Sequence, residues 1–370
     1  MGEHQVQSSN DETASKIPRR TTRQVEVRKI PVGGDAPISV QSMTKVRTED
    51  TDAVLRQIEG LLKEGCEIVR LAIPTRDAAR ALSEIRKRTD APLVADVHLN
   101  YRLALESVDR GVDKVRVNPG YLREKGQIRA VIRKAKAAGI PIRVGANSGS
   151  ILRATGEGKV PRSGMAKAMV KKVVEYLTVF EEEDFHDVVI SLKASDVVET
   201  VRAYEMMAQR CDYPFHIGVT ACGPPSVGVV SSAMGLGHLL MKGIGDTIRV
   251  SLTGDPREEV RTAKRILQAL GLRRFGPVVI SCPTCGRCHG DLISLVEEIE
   301  EKLAGVALPI KVAVMGCEVN GPGEAAEADI GVALGKRCGY LFKKGSIIRK
   351  VAFKKLAAEL VSEAETLQGI

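Results

Sequence analysis

The sequence contains no tryptophan, and aromatic side chains make up only 3% of its 370 residues. Single-stranded nucleic acid is held largely by stacking bases on aromatic faces, so a chain this poor in rings lacks the usual platform for it. There is also no apolar run long enough to span a bilayer, and the opening stretch MGEHQVQSSNDETASKIPRR has none of the apolar core of a secretory signal. The eight cysteines are therefore expected in a reducing compartment, the cytoplasm, where thiols bind metal or do redox work. The formal charge of +9 is carried in part by Arg19, Arg20 and Arg23. A basic tail without a reading motif is a weak footprint for nucleic acid, so neither nucleic acid nor membrane is expected as a partner.

At 44% apolar residues, the chain can bury one large core and a second, smaller one. Eight apolar, β-branched runs recur, at 37–43, 67–73, 92–98, 114–119, 141–147, 187–194, 214–220 and 247–253. Amphipathic helical patterns separate them, for example over 50–62, 77–88 and 128–138. Near-continuous apolar strands alternating with helices predict a parallel sheet covered on both faces. Eight such units over roughly 220–250 residues suit an α/β fold closed as a (β/α)8 TIM-type barrel, with an open doubly wound sheet as the alternative. After about residue 275 the rhythm changes to strand (277–281), cysteine loop, helix (290–304), strand (310–316), NGPG turn, strand (329–335), a hairpin-like 339–345 and a terminal helix. The expected organisation is a disordered tail over 1–21, a substrate-binding barrel over 22–274 and a smaller α+β domain over 275–370.

Charges stand where the barrel strands ought to be apolar. Arg70, Arg116, Arg143, Lys193 and Arg249 each sit in or at the end of such a run. One buried cation is ordinarily a structural ion pair, because an unpaired one is costly. Five on five strands would converge on the barrel mouth and repel one another unless an anion neutralised them. A phosphate or diphosphate is the natural partner of such arginine forks. Asp96, His98, Asn118, Asn147, His216, Thr220 and Ser251 share the strand-end placement and join the candidate site.

The stretch SCPTCGRC places Cys282, Cys285 and Cys288 within seven residues, and GCEVNGPGE brings Cys317 and Glu324 about thirty residues later. The Cys-x-x-Cys opening serves zinc and iron–sulfur clusters alike. The Gly321-Pro-Gly323 turn favours the cluster, because it would fold Glu324 back toward Cys317. A carboxylate is a harder, more labile ligand than a thiolate and suits a position that must be vacated.

The stretches CPTCGR, GCEVNGPGE, VQSMT, VADVH, VRVNPG, LKASD and GIGDTIRVSL, occurring in order over residues 22–355, resemble the 4-hydroxy-3-methylbut-2-enyl diphosphate synthase family of the non-mevalonate isoprenoid pathway. The resemblance implies a homodimer in which one subunit's cluster caps the other's barrel. It implies reductive opening of 2-C-methyl-D-erythritol 2,4-cyclodiphosphate, with two electrons supplied by flavodoxin or ferredoxin. It also implies Cys282, Cys285, Cys317 and Glu324 as ligands of a 4Fe–4S cluster, with Arg70, His98, Arg116, Arg143, Asn147, Lys193 and Ser251 gripping the diphosphate. Glu324, Asp96 and His98 would then be the catalytic groups. The sequence departs from the family pattern at Ala221, where a glutamate is usual, at Ser231, where a lysine is usual, and at the additional Cys288.

Overall fold

A computed structural model describes residues 17–122, 124–155, 164–220, 222–303, 306, 308–317, 323 and 325–367. The chain divides into two compact units, Met1–Arg273 and Arg274–Ile370.

In the first unit, eight parallel strands alternate with helices: β3 (Ser39–Met43), β4 (Ile68–Ala72), β5 (Leu93–Asp96), β6 (Lys114–Val117), β7 (Ile142–Asn147), β8 (Val188–Lys193), β9 (His216–Ile217) and β10 (Thr247–Ile248). Each strand pairs with its neighbour in sequence, and β10 returns to β3. A parallel bridge from Ile190 to Phe215 joins β8 to the approach to β9, so the ring of strands closes. The helices between strands begin where the sequence supplies a cap. Asp50, Thr75, Asn100, Asp196 and Asp255 each accept a main-chain N–H from the first turn of the helix that follows, satisfying donors that the helix itself leaves open.

The last two strands are shorter than the apolar runs over 214–220 and 247–253 predict. The main chain beyond them is pressed close: a Cβ at Gly218 would lie 2.5 Å from the Arg249 carbonyl oxygen and 2.6 Å from Lys193 Nζ. One bond, from the Arg249 N–H to the Ile217 oxygen at 3.0 Å, continues the pairing before the segments diverge.

A two-stranded hairpin, β1 (Gln24–Val27) with β2 (Ile30–Gly33), precedes the barrel. Val25, Val27 and Val32 form one buried cluster with Ile68, Val94 and Val189 from the beginnings of three barrel strands, so the hairpin plugs the N-terminal end of the barrel. Part of the expected tail is likewise structural. Arg19 pairs with Asp246 at 2.9 Å, and Arg20 donates to the carbonyls of Cys211 and Tyr213 at 2.7 and 2.6 Å while lying over the Phe215 ring. These arginines bind main-chain acceptors that no sequence pattern announces; residues 1–16 lie outside the described residues.

The barrel interior carries polar residues on successive inward positions. Lys114 is fully buried, and its Nζ has no hydrogen-bond partner. Burial, followed by the fields of Arg143 and Arg70, pushes it from 10.5 down to about 7.

The second unit is a five-stranded sheet in the order β11 (Val278–Ser281), β12 (Lys311–Met315), β13 (Ile330–Leu334), β14 (Gly339–Lys343) and β15 (Ser346–Val351). The first three strands run parallel and the last two antiparallel. The hairpin-like stretch expected at 339–345 is the first arm of a longer β14–β15 hairpin, whose turn is Lys344–Gly345, both with positive φ. Two helices, Leu292–Leu303 and Leu356–Thr366, pack through Leu292, Ile299, Leu303, Leu356 and Leu360 onto Val312, Val314, Ile330 and Val332.

Replacing Lys114 with Met removes a desolvated, unpartnered ammonium and is expected to stabilise the protein by about 1–4 kcal/mol. The sign follows from linkage: between pH of about 7 and 10.5 the unfolded chain binds more protons at this lysine than the folded one, so native stability rises with pH across that window. Denaturant titrations of both proteins through this range check the prediction, and the variant should lose that rise.

Candidate functional site

The site is assembled from strand ends. Parallel strands bring their C-terminal residues to one mouth, and a cavity of about 240 Å³ there is lined by His98, Asn118, Tyr121, Asn147, Ser148, Gly149, Ser150, Ser195 and Thr220. His98 and Asn147, expected at the site, face this cavity. Tyr121, Ser148, Ser150 and Ser195 were not foreseen; they belong to the connections that follow β6, β7 and β8, with Ser148 and Ser150 opening the short helix Ser148–Thr155. Gly120 makes the close approach of two of these connections possible, since a Cβ there would fall 2.6 Å from the Ser150 carbonyl oxygen.

Beneath this cavity lies the layer of cations. Asp96 is its organiser: it accepts from Arg116 Nη1 at 3.0 Å, stands 3.6 Å from Arg70 Nε, and has His98 Nε2 at 3.4 Å. Burial alone would raise the Asp96 carboxyl, but Arg116 and Arg70 outweigh it and hold the group well below the usual carboxylate range. Arg116 also donates to the Gly145 carbonyl oxygen at 2.8 Å. Gly145 leaves it room, because a Cβ there would come within 2.6 Å of Arg116 Nε. Arg249 lies against Glu259 at 3.1 Å, and Glu259 in turn takes Lys45 Nζ at 3.1 Å.

Three of the five strand cations therefore already have a carboxylate partner within the protein. Asp96 serves Arg70 and Arg116, and Glu259 serves Arg249. Glu259 comes from the helix Pro256–Ala269, where it reads in sequence as an ordinary helical acid. Arg143 and Lys193 have no such answer: among the described residues no carboxylate pairs with either. Arg143 Nη1 reaches only the Gln41 side-chain oxygen at 3.4 Å, and its Nε is buried without a partner. Lys193 Nζ stands 3.1 Å from His216 Nε2, itself buried with Nδ1 unpartnered. Burial, then the neighbouring cations, pull Arg143, Lys193 and His216 well below their ordinary values and Arg70 down to about 10. Ser251 is half-buried beyond β10 and does not line the cavity.

In the second unit, parallel β11 and β12 are in register from Val278 and Lys311 to Ser281 and Val314. Cys282 and Cys317 follow these two strands and so emerge at the same sheet edge. The loop after Cys282 turns through Thr284 at φ 57°. It closes with the Cys288 N–H donating to the Cys285 oxygen at 2.9 Å and the His289 N–H to the Gly316 oxygen at 2.8 Å. The Gly316 N–H donates to Cys282 Sγ at 3.2 Å. A Cβ at Gly316 would stand 3.2 Å from that sulfur and 2.7 Å from Cys288 Sγ, so only glycine keeps this space open for the thiols. Among the described residues, no group of three or more His, Cys, Asp or Glu side chains is gathered closely enough to hold a single metal ion. Soft sulfur donors bordering a glycine-lined space, one of them already accepting a main-chain N–H, suit an iron–sulfur cluster. Glu324 and Ala221 lie outside the described residues.

A closed (β/α)8 barrel carrying buried cations on its strands, followed by a small α+β unit bearing clustered thiols, is a two-unit enzyme architecture. The chain belongs to the GcpE family: residues 22–264 match the GcpE TIM-barrel domain and residues 278–366 the GcpE protein C-terminal domain. It is 47% identical over 95% of its length to the 4-hydroxy-3-methylbut-2-en-1-yl diphosphate synthase (flavodoxin) of Geobacillus thermodenitrificans, covering 93% of that protein. It is 48% identical over 94% of its length to the enzyme of the same name from Geobacter sulfurreducens, covering 98% of it.

Substituting Asp96 with Ala leaves Arg70 and Arg116 buried without their shared carboxylate and should cost about 3–5 kcal/mol of stability. Chemical denaturation of the purified variant reads this directly, and an unchanged midpoint would show that Asp96 does not organise the layer.

Proposed function

We propose that this protein reductively opens 2-C-methyl-D-erythritol 2,4-cyclodiphosphate to 4-hydroxy-3-methylbut-2-enyl diphosphate. The observation that carries the reading is the pair of buried cations, Arg143 and Lys193, with which no carboxylate among the described residues pairs. A doubly charged cyclic diphosphate supplies that neutralisation, and relatives nearly half identical over almost the whole chain are named for forming this product.

In this proposal, Arg143, Lys193, Arg116 and Arg70 bind the diphosphate from below, while His98 and Asn147, which line the cavity, contact it from the strand ends. Asp96 keeps Arg70 and Arg116 aimed, through an ion pair to the first and a hydrogen bond from the second. Opening the ring breaks a carbon–oxygen bond whose oxygen stays on the diphosphate; the hydroxyl on the neighbouring carbon must be protonated to leave as water, and His98, at the cavity rim beside Asp96, is the group placed to deliver that proton. A 4Fe–4S cluster held by Cys282, Cys285, Cys317 and Glu324 would supply two electrons singly, drawn from flavodoxin or ferredoxin. The barrel over 22–274 is the substrate-binding domain in this scheme and residues 275–370 the cluster domain.

A homodimer completes the proposal. The helix Pro225–Met241 exposes Val227, Val230, Met234 and Met241 at helical spacing, and an apolar stripe on a helix also apolar on its inner face suits burial against a second copy. The location proposed is the cytoplasm; among the described residues, no helix is long and apolar enough to cross a membrane.

Anaerobically purified protein supplied with reduced methyl viologen and the cyclodiphosphate should release the allylic diphosphate. Iron- and sulfide-loaded protein inert toward this substrate would overturn the assignment. Arg143→Met should lower kcat/KM by about 2–5 kcal/mol while the fold persists. Substrate binding should also draw protons from solution, because the anion restores the depressed affinity of Lys193 for its proton. Affinity therefore falls as pH rises, and calorimetry in buffers of different ionisation enthalpy measures the uptake.

A further inference from the structure

Cys288 has no place in the ligand set above, yet its sulfur occupies the same ground. The Cys288 and Cys282 sulfurs both border the position where a Gly316 side chain would stand, at 2.7 and 3.2 Å, and Cys317 follows Gly316 directly in the chain. The backbone holds Cys288 there from both sides, through its own N–H to Cys285 and through the N–H of His289 to Gly316. Its thiol contacts the Gly290 carbonyl oxygen at 3.7 Å, a weak interaction that ligation would sacrifice at little cost. Thiolate is the softer donor and holds iron better than a carboxylate does.

From this placement we propose that Cys288 is a fourth thiolate ligand of the small unit's cluster, occupying in the resting protein the iron otherwise assigned to Glu324. The inference rests on the iron–sulfur reading of the preceding section. Cys288 gives up its thiol proton to solvent on ligation, with no change in oxidation state. With four thiolates in place, the centre keeps no open position, so the resting cluster is closed to solvent and oxidant until Cys288 releases.

The test uses full-length protein reconstituted anaerobically with iron and sulfide, with the cluster itself as the readout. Glu324→Gln should retain about four irons per chain, and the Cys288→Ser/Glu324→Gln pair should fall to about three, with the paramagnetic signal of a three-iron cluster on oxidation. The native protein, which needs no variant to fold, should give a Mössbauer spectrum without a distinct, oxygen-ligated iron. Loss of one iron in Glu324→Gln alone, or a distinct iron site in the native protein, overturns the role of Cys288 and leaves the functional reading intact. Retention of all four irons in the double variant also overturns it. Native protein that binds no iron with acid-labile sulfide overturns both.

Discussion

An excess of buried positive charge is the constraint around which the barrel is organised. Arg70, Arg116, Arg143, Lys193, Lys114 and Arg249 all enter the interior or its rim, and among the described residues Asp96 and Glu259 are the carboxylates that pair with them from within. A desolvated cation costs several kcal/mol unless it is paired, so the arrangement is stable only because each charge is either shared or weakened. Asp96 shares itself between two arginines, and the lysines hold their protons loosely. In the proposed function the same economy would make the mouth selective, since a ligand with two negative charges would relieve what the described residues leave unrelieved.

Glycine is the second device, and it acts by absence. Gly145 and Gly218 leave the space in which Arg116 and Lys193 lie, and Gly316 leaves the space in which two cysteine sulfurs meet. In each case the side chain that matters is placed by another residue lacking one. Such sites resist substitution even though the glycines contact no ligand, because an added Cβ would press on a cation, a sulfur or main chain.

Much of this was legible in the residues themselves. Strand runs alternating with helices indicated the barrel, because period is a local property; the anionic ligand read from the cations on those runs and the metal centre read from Cys282, Cys285 and Cys317 belong to the proposed function. The failures were non-local. Arg20 looked like part of a solvated tail, but its partners are carbonyls of Cys211 and Tyr213, some 190 residues away. Glu259 looked like a helical surface acid, yet it is 1% exposed and neutralises Arg249. Tyr121 and Ser195 reach the cavity from loops, whose paths follow from the packing of neighbouring elements and carry no periodic signal.

The sequence by itself determined which side chains are available and in what rhythm: the alternation that builds parallel strands, the cations carried on them, and the thiols placed after two strands of the second unit. Which of those cations would be satisfied by the protein and which left for a ligand was decided only in three dimensions. The physical reason is that neutralisation depends on distances of 3 to 4 Å between residues far apart in the chain, and closing the barrel is what sets those distances.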